Sequence, residues 1–185
     1  MLTFNIEEYR FNMLIILYGP PGVGKSYICQ WLAKRYAFYC YDADTHLTQQ
    51  MRQCINNRQP FSQMMRDAFF TQVIRHIQRY LKQYHTVVMA QAISQKKNRE
   101  QLRRAFPDAR FVHINTSAQL QLERLESRGD WVTADWVDKL IAVQEPANTE
   151  HDHINNNHDT SHLEQQFSQL FKQWDCLQYQ AGPVK

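Results

Sequence analysis

No apolar run in the sequence approaches the ~18–20 residues needed to cross a bilayer. The best candidate, residues 13–17, suits a single buried strand. Glu7 and Glu8 precede that stretch and no small-residue cleavage site follows it, so a secretory leader is not expected. The four cysteines, Cys29, Cys40, Cys54 and Cys176, form no C-x-x-C pair and no zinc-like spacing. Reduced structural thiols in a cytoplasmic protein are therefore the expectation, and disulfides are not expected. No repeat, low-complexity segment or linker divides the 185 residues, which fits one domain over 1–185. Nor is there a strong excess of one charge: 21 Lys and Arg against 18 Asp and Glu leave a net +3. That is too mild to argue for nucleic acid and suits an anionic small ligand equally well.

What is present describes an ordinary globular chain, 43% hydrophobic, 12% aromatic and 21% charged. A chain of this length buries about 70% of its unfolded surface, enough for a core without staples. Strand-like runs over 13–18, 37–41, 86–90, 110–115 and 149–156 alternate with helical periodicity over 25–36, 47–84, 97–105, 117–127, 133–143 and 161–174. The long helical stretch is expected to break near Gln59-Pro60, because proline disfavours helix in the residue before it. Strands alternating with helices predict an α/β fold, a parallel sheet covered on both faces.

The strongest motif is Gly19-Pro20-Pro21-Gly22-Val23-Gly24-Lys25-Ser26, a complete G-x-x-x-x-G-K-S between a strand and a helix. Chance alone would place such a match in a chain this long on the order of once in two hundred. Glycines let successive N–H groups turn inward around phosphate oxygens, and the helix N-terminus adds partial positive charge. Gly19, Gly22, Val23, Gly24, Lys25, Ser26 and Tyr27 are the candidate nucleotide-binding residues. Lys25 is expected on the β- and γ-phosphates and the Ser26 hydroxyl on Mg²⁺.

The strands over 86–90 and 110–115 carry no acidic residue at their tips, unlike those of the larger ATPases. The available carboxylates are Asp42 and Asp44, whose D-x-D spacing in an extended segment would point both side chains into the crevice at the strand ends. One could hold Mg²⁺ through water while the other orients an acceptor hydroxyl; a solvated turn, with Asp44 capping the next helix, is the alternative. Arg124 and Arg128 stand at i and i+4 before a glycine-containing turn, the pattern of a lid arginine that meets transferred charge.

Together these residues resemble P-loop small-molecule kinases of the gluconokinase and shikimate kinase type, nearest to gluconokinase. Asp42-Ala43-Asp44 resembles that family's D-G-D. Gln59-Pro60-Phe61 with Arg66-Asp67 and Phe69-Phe70 resembles its acceptor segment. The stretch from Arg99 to Arg103, Leu122-Glu123-Arg124 with Arg128-Gly129, and Gln144-Glu145-Pro146 follow in the family's order. The resemblance implies a three-layer P-loop fold with a five-stranded parallel sheet, a small lid over about 127–133 and an acceptor-binding helical segment over about 45–84. It implies ATP and Mg²⁺, and phosphoryl transfer to a small hydroxyl acceptor. By resemblance Asp44 would be the base, Asp42 would lie near the metal and Arg66 would contact an anionic acceptor group. Arg124 would pack beside adenine, and Arg128 would reach the transferred phosphoryl group. Gln91-Ala92-Ile93-Ser94 stands where the family has C-S-A-L, which puts Gln91 among the substrate-binding candidates. Asp130, Trp131, Asp138, Lys139 and the Pro20-Pro21 pair depart too, so an acceptor other than plain gluconate is expected.

The histidines of residues 151–162 match no catalytic zinc signature and, by resemblance, flank adenine. The basic run Lys96, Lys97, Arg99, Arg103 and Arg104 reads as a solvated helix face with few aromatics for nucleic acid. No membrane partner is expected, and a homodimer is compatible with the sequence. Two function classes stay open: a small-molecule kinase, and a nucleotide-dependent switch or other non-metabolic P-loop NTPase, toxin-like or acting on nucleic-acid ends.

Overall fold

The computed structural model describes residues 13–127, 145–147 and 150–174. The expected helix over 133–143, nearly all of the lid, Arg128, Asp130, Trp131, Asp138, Lys139 and Cys176 lie outside the described residues. In chain order the elements are β1 (Met13–Tyr18), α1 (Lys25–Tyr36), β2 (Tyr39–Asp42), a 3₁₀ turn (Ala43–His46), α2 (Gln49–Asn56), α3 (Gln63–Leu81) and β3 (Thr86–Gln91). Then come α4 (Lys96–Ala105), β4 (Arg110–Asn115), α5 (Ala118–Ser127), β5 (Asp152–Asn155) and α6 (Thr160–Gln173). All strands pair in parallel, in the order β2-β3-β1-β4-β5. The five-stranded parallel α/β fold expected from the sequence is thus present. Among the described residues no helix is long and apolar enough to cross a membrane.

The central strands explain the layering. β1 and β3 are buried at every position, as strands covered on both faces must be. Alternate residues then serve two cores. Ile15, Leu17, Val88 and Ile114 face α1 and α6, meeting Ile28, Leu32, Phe167 and Phe171. Leu14, Ile16, Val87 and Met89 face the other way, meeting Phe69, Val73 and Ile77 of α3 and Leu102 of α4. Side-chain caps start the helices: Thr48 accepts from the Met51 N–H, Ser62 from Met65 and Asp159 from His162. The break expected near Gln59-Pro60 falls between Asn56 and Gln63. From β1 the chain passes to β2 on one side and later to β4 on the other. The carboxyl end of β1 is therefore the topological switch point, where open α/β sheets bind ligands.

The thiol expectation fails at one place. Cys29 of α1 and Cys40 of β2 are joined in a disulfide, their Cα atoms 5.4 Å apart, while Cys54 is free. Spacing alone could not reveal this pair, because it depends on α1 folding back beside β2 across the two-residue connection of Ala37 and Phe38. Ala37 closes the helix in the left-handed region, φ 57°.

A network of aromatic and basic groups ties the sheet together below the switch point. Arg103 lies 2.6 Å from His151 Nε2, and an arginine can only donate, so that nitrogen is an acceptor. The ring proton of neutral His151 therefore sits on Nδ1 and is donated to the Tyr18 hydroxyl at 2.6 Å. Phe111 stacks on the imidazole, 4.8 Å between centroids. Among the described residues, neighbouring His113 has both ring nitrogens buried without a partner. Burial holds both imidazoles down at about 4, with Arg103 adding to the effect at His151 and His153 at His113.

These depressed values make stability acid-sensitive. In the unfolded chain both histidines protonate below about 6.5, whereas the folded chain resists until about pH 4. Stability is thus full above pH 6.5 and lost as pH falls towards 4, by on the order of a few kcal/mol for the pair. Urea titrations between pH 7.5 and 4.5 should show this loss. The variant His113→Phe should remove part of it while leaving stability at pH 7.5 equal or higher, since it deletes two unpartnered buried nitrogens.

Candidate active site

The loop of residues 19–26 runs from the end of β1 into the first turn of α1. Gly22 and Gly24 hold φ of 83° and 91°, angles that side chains rarely adopt. They are also crowded. A methyl on Gly22 would stand 2.8 Å from Leu125 Cγ and 2.9 Å from Gln121 Cγ, and one on Gly24 would run into Asn156 Nδ2. A loop that turns its amides towards a phosphate turns its carbonyls outward, and these need donors. Gln121 donates to Pro21 O at 2.5 Å, Asn156 Nδ2 to Val23 O at 2.8 Å, and Lys25 Nζ to Pro20 O at 2.7 Å. Arg124 lies between the loop and the segment after β5, donating to Asn156 O at 2.9 Å and to Val23 O at 3.4 Å. Asn156 and Gln121 are buried polar side chains that the sequence reading missed. Neither has a pattern signal: Asn156 reads as the end of the expected strand over 149–156, in a run of three asparagines, and Gln121 as one polar residue of a surface helix.

Ser26 and Asp42 meet across α1 and β2. The Ser26 hydroxyl donates to Asp42 Oδ2 at 3.1 Å. A hydroxyl and a carboxylate at that spacing are hard oxygen donors that fit Mg²⁺, which takes few protein ligands and keeps several waters. The other Asp42 oxygen accepts from the Asp44 N–H at 3.0 Å and caps the 3₁₀ turn. The capping alternative raised for Asp44 therefore belongs to Asp42, and α2 is capped by Thr48. The extended D-x-D segment also ends early, since Asp44 lies within the 3₁₀ turn.

Asp44 is open to solvent yet surrounded by protein. Gln91, at the tip of β3, donates to Asp44 Oδ1 at 3.0 Å. The amide cannot be flipped, because Gln91 Oε1 accepts from the Ala92 N–H at 2.6 Å. Crowding by protein pushes the Asp44 carboxyl up from its ordinary value. The Gln91 bond opposes that push, Asp42 reinforces it, and Lys25 and Arg52 pull back. Gln91, expected as a substrate contact, thus spends one N–H on the carboxylate.

On α3, Arg66 is half-buried over the Phe61 ring and donates to Phe61 O at 3.0 Å. Among the described residues no carboxylate pairs with it. The solvated-face reading of α4 holds for Lys96, Lys97 and Arg104 and fails for Arg99, which is 1% exposed. Arg99 donates to Ile93 O at 3.2 Å, Ser94 O at 3.4 Å and Pro146 O at 2.6 Å, and lies over the Tyr18 ring. It clamps the loop after β3 to the segment 145–147, where the Glu145 N–H also donates to Ser94 O. The remaining candidates divide simply. Tyr27 is half-exposed on the first turn of α1, and Arg128 lies outside the described residues.

A strand–loop–helix phosphate cradle at the switch point of a parallel sheet, with a hydroxyl–carboxylate pair beside it, defines a P-loop kinase fold. The shikimate kinase family matches residues 21–175, and the chain belongs to that family. No curated protein matches it in sequence. Among solved structures it is similar to a gluconokinase from Sinorhizobium meliloti 1021, with TM-score 0.77 and 17% identity over 94% of this chain and 99% of that one. It is also similar to shikimate kinase from Acinetobacter baumannii in complex with shikimate (TM-score 0.64, 19% identity, 91% and 98% covered). The Mycobacterium tuberculosis APS kinase in complex with AMPPNP and APS gives TM-score 0.65 and 16% identity over 86% and 97%. At identities this low, the TM-scores show a shared fold.

Gly24→Ala tests the brace. A methyl there is strained by φ and displaces Asn156, so the variant should lose at least ~2 kcal/mol of stability and most of its affinity for a fluorescent ATP analogue. Thermal melting and binding titration measure the two losses.

Proposed function

We propose that the chain transfers the γ-phosphoryl group of ATP to a hydroxyl of a small anionic metabolite, of the class of sugar acids. The observation that carries this reading is the convergence, at the carboxyl ends of neighbouring strands, of the Ser26–Asp42 pair and the Asp44–Gln91 pair. The first suits a metal-bound triphosphate and the second an acceptor hydroxyl, and phosphoryl transfer needs both side by side. The Gly19, Gly22 and Gly24 backbone, with Val23, Lys25 and Tyr27, would hold the nucleotide, and Ser26 and Asp42 the Mg²⁺. When bound, that ion neutralises charge on the phosphate oxygens. Asp44 would take the acceptor proton, its carboxylate aimed by Gln91. Arg66 supports an anionic acceptor, because a half-buried guanidinium with no carboxylate partner among the described residues leaves donors for one. Arg124 would steady the adenine side, and Arg128 would bring positive charge to the transferred group as the lid closes.

An ADP-release screen over sugar acids, polyols, shikimate, nucleosides and nucleoside monophosphates tests the proposal. One acceptor should raise turnover well above basal hydrolysis. With it, Asp44→Asn should lower kcat by ~10²–10⁴-fold, the range for a lost general base. Arg66→Ala should raise KM for the anionic acceptor and leave ATP affinity within a few-fold. If no hydroxyl compound stimulates turnover, the chain is a nucleotide-dependent switch instead.

A further inference from the structure

Two bridges run in parallel between α1 and β2. The upper one is the Ser26–Asp42 hydrogen bond, and the lower one is the Cys29–Cys40 bond. The register makes them rungs of one ladder. Cys29 follows Ser26 by three residues and so shares its helix face. Cys40 precedes Asp42 by two and so shares its strand face. Among the described residues β2 is a four-residue edge strand paired with β3 alone, and these rungs add side-chain bonds to its packing against α1.

We propose that Cys29 and Cys40 are a reversible redox-modification site, whose disulfide state sets the spacing of the Ser26–Asp42 pair and thereby the Mg²⁺ requirement for nucleotide binding. The inference rests on the reading of that pair as the metal site. Both redox states fit the fold. Cys40 is only partly buried on the edge strand, within reach of a small reagent, whereas Cys29 is fully enclosed. The Cys29 sulfur also lies 3.2 Å from Val88 O. When the bond is reduced, the Cys29 thiol has that carbonyl to donate to, so reduction orphans no buried group.

The co-reactant is a low-molecular-mass disulfide such as oxidised glutathione. Cys40, as thiolate, attacks one of its sulfurs, forming a mixed disulfide and releasing one glutathione thiol. The Cys29 sulfur, giving up its proton, then displaces the second glutathione and closes the Cys29–Cys40 bond. The two protein thiols lose two electrons and two protons, and these appear in the two released thiols. Excess reduced glutathione runs the exchange backwards. In the oxidised state both ligand-bearing elements are held in register, so less ordering is left for metal binding. In the reduced state β2 is freer to shift from α1, and the pair must be gathered by the ion.

The full-length protein is equilibrated in oxidised or reduced glutathione buffers, a sample of each is alkylated in denaturant at once, and its thiols are counted by intact mass and peptide mapping. The Mg²⁺ dependence of N-methylanthraniloyl-ATP binding is then measured on each form. Oxidation should protect Cys29 and Cys40 together from alkylation, and reduction should raise the half-saturating Mg²⁺ concentration by about 5-fold or more. Cys40→Ser and, as a second variant should that one fold poorly, Cys40→Ala should show the reduced value in both buffers. Cys54→Ser should behave as the parent does. A pair that stays alkylatable in oxidising glutathione overturns the proposal, as does an equal Mg²⁺ dependence in the two forms. Loss of Mg²⁺-dependent binding in both forms overturns the metal-site reading as well.

Discussion

The site depends on satisfying the back of the phosphate loop. Amides that face a phosphate leave carbonyls facing the protein, and a buried carbonyl without a donor costs ~1–3 kcal/mol. Here the donors come from far along the chain: Gln121 and Arg124 on α5, and Asn156 just after β5. The same contacts explain why Gly22 and Gly24 have no room for a side chain. The cradle is therefore a tertiary structure as much as a local motif. Its eight residues state the chemistry, and the last third of the chain keeps them in shape.

That division explains what could be read from the sequence. Periodicity exposed the alternation of strands and helices, because β1 and β3 are continuously apolar and α1 carries a clear buried face. Local chemistry picked out Lys25, Ser26, Asp42 and Asp44 as candidates, because each belongs to a motif with fixed spacing, and the structure brings Ser26 to Asp42 and Asp42 to Asp44. The buttresses escaped because nothing local marks them. Arg99 looked like one member of a basic helix face, yet it is enclosed between Tyr18 and three carbonyls contributed by two other segments. The Cys29–Cys40 bond escaped for the same reason, since residues on a helix and on the following strand become neighbours only once the chain turns at Ala37.

Asp42 shows how a small motif can carry several duties. One of its oxygens caps the turn that contains Asp44, and the other accepts from Ser26. A single carboxylate thus links the phosphate loop to the turn that carries Asp44, and it acts on Asp44 twice over, by holding its backbone N–H and by raising its carboxyl pKa through charge. Gln91 completes the arrangement from the neighbouring strand, its own amide held by Ala92.

The braces behind the loop come from residues 116–157, whereas the groups proposed for an acceptor, Asp44, Arg66 and Gln91, come from residues 44–91. The protein is therefore partitioned along its own chain into a part that braces the loop and a part that does not. Mutations that recast Gln91, Arg66 or the loop around Ile93 leave the carbonyl donors behind the cradle untouched. In a gene duplicate such changes could accumulate one at a time without passing through a form unable to hold a nucleotide. Wiring of this kind lets one face of the site change while the phosphate loop is kept.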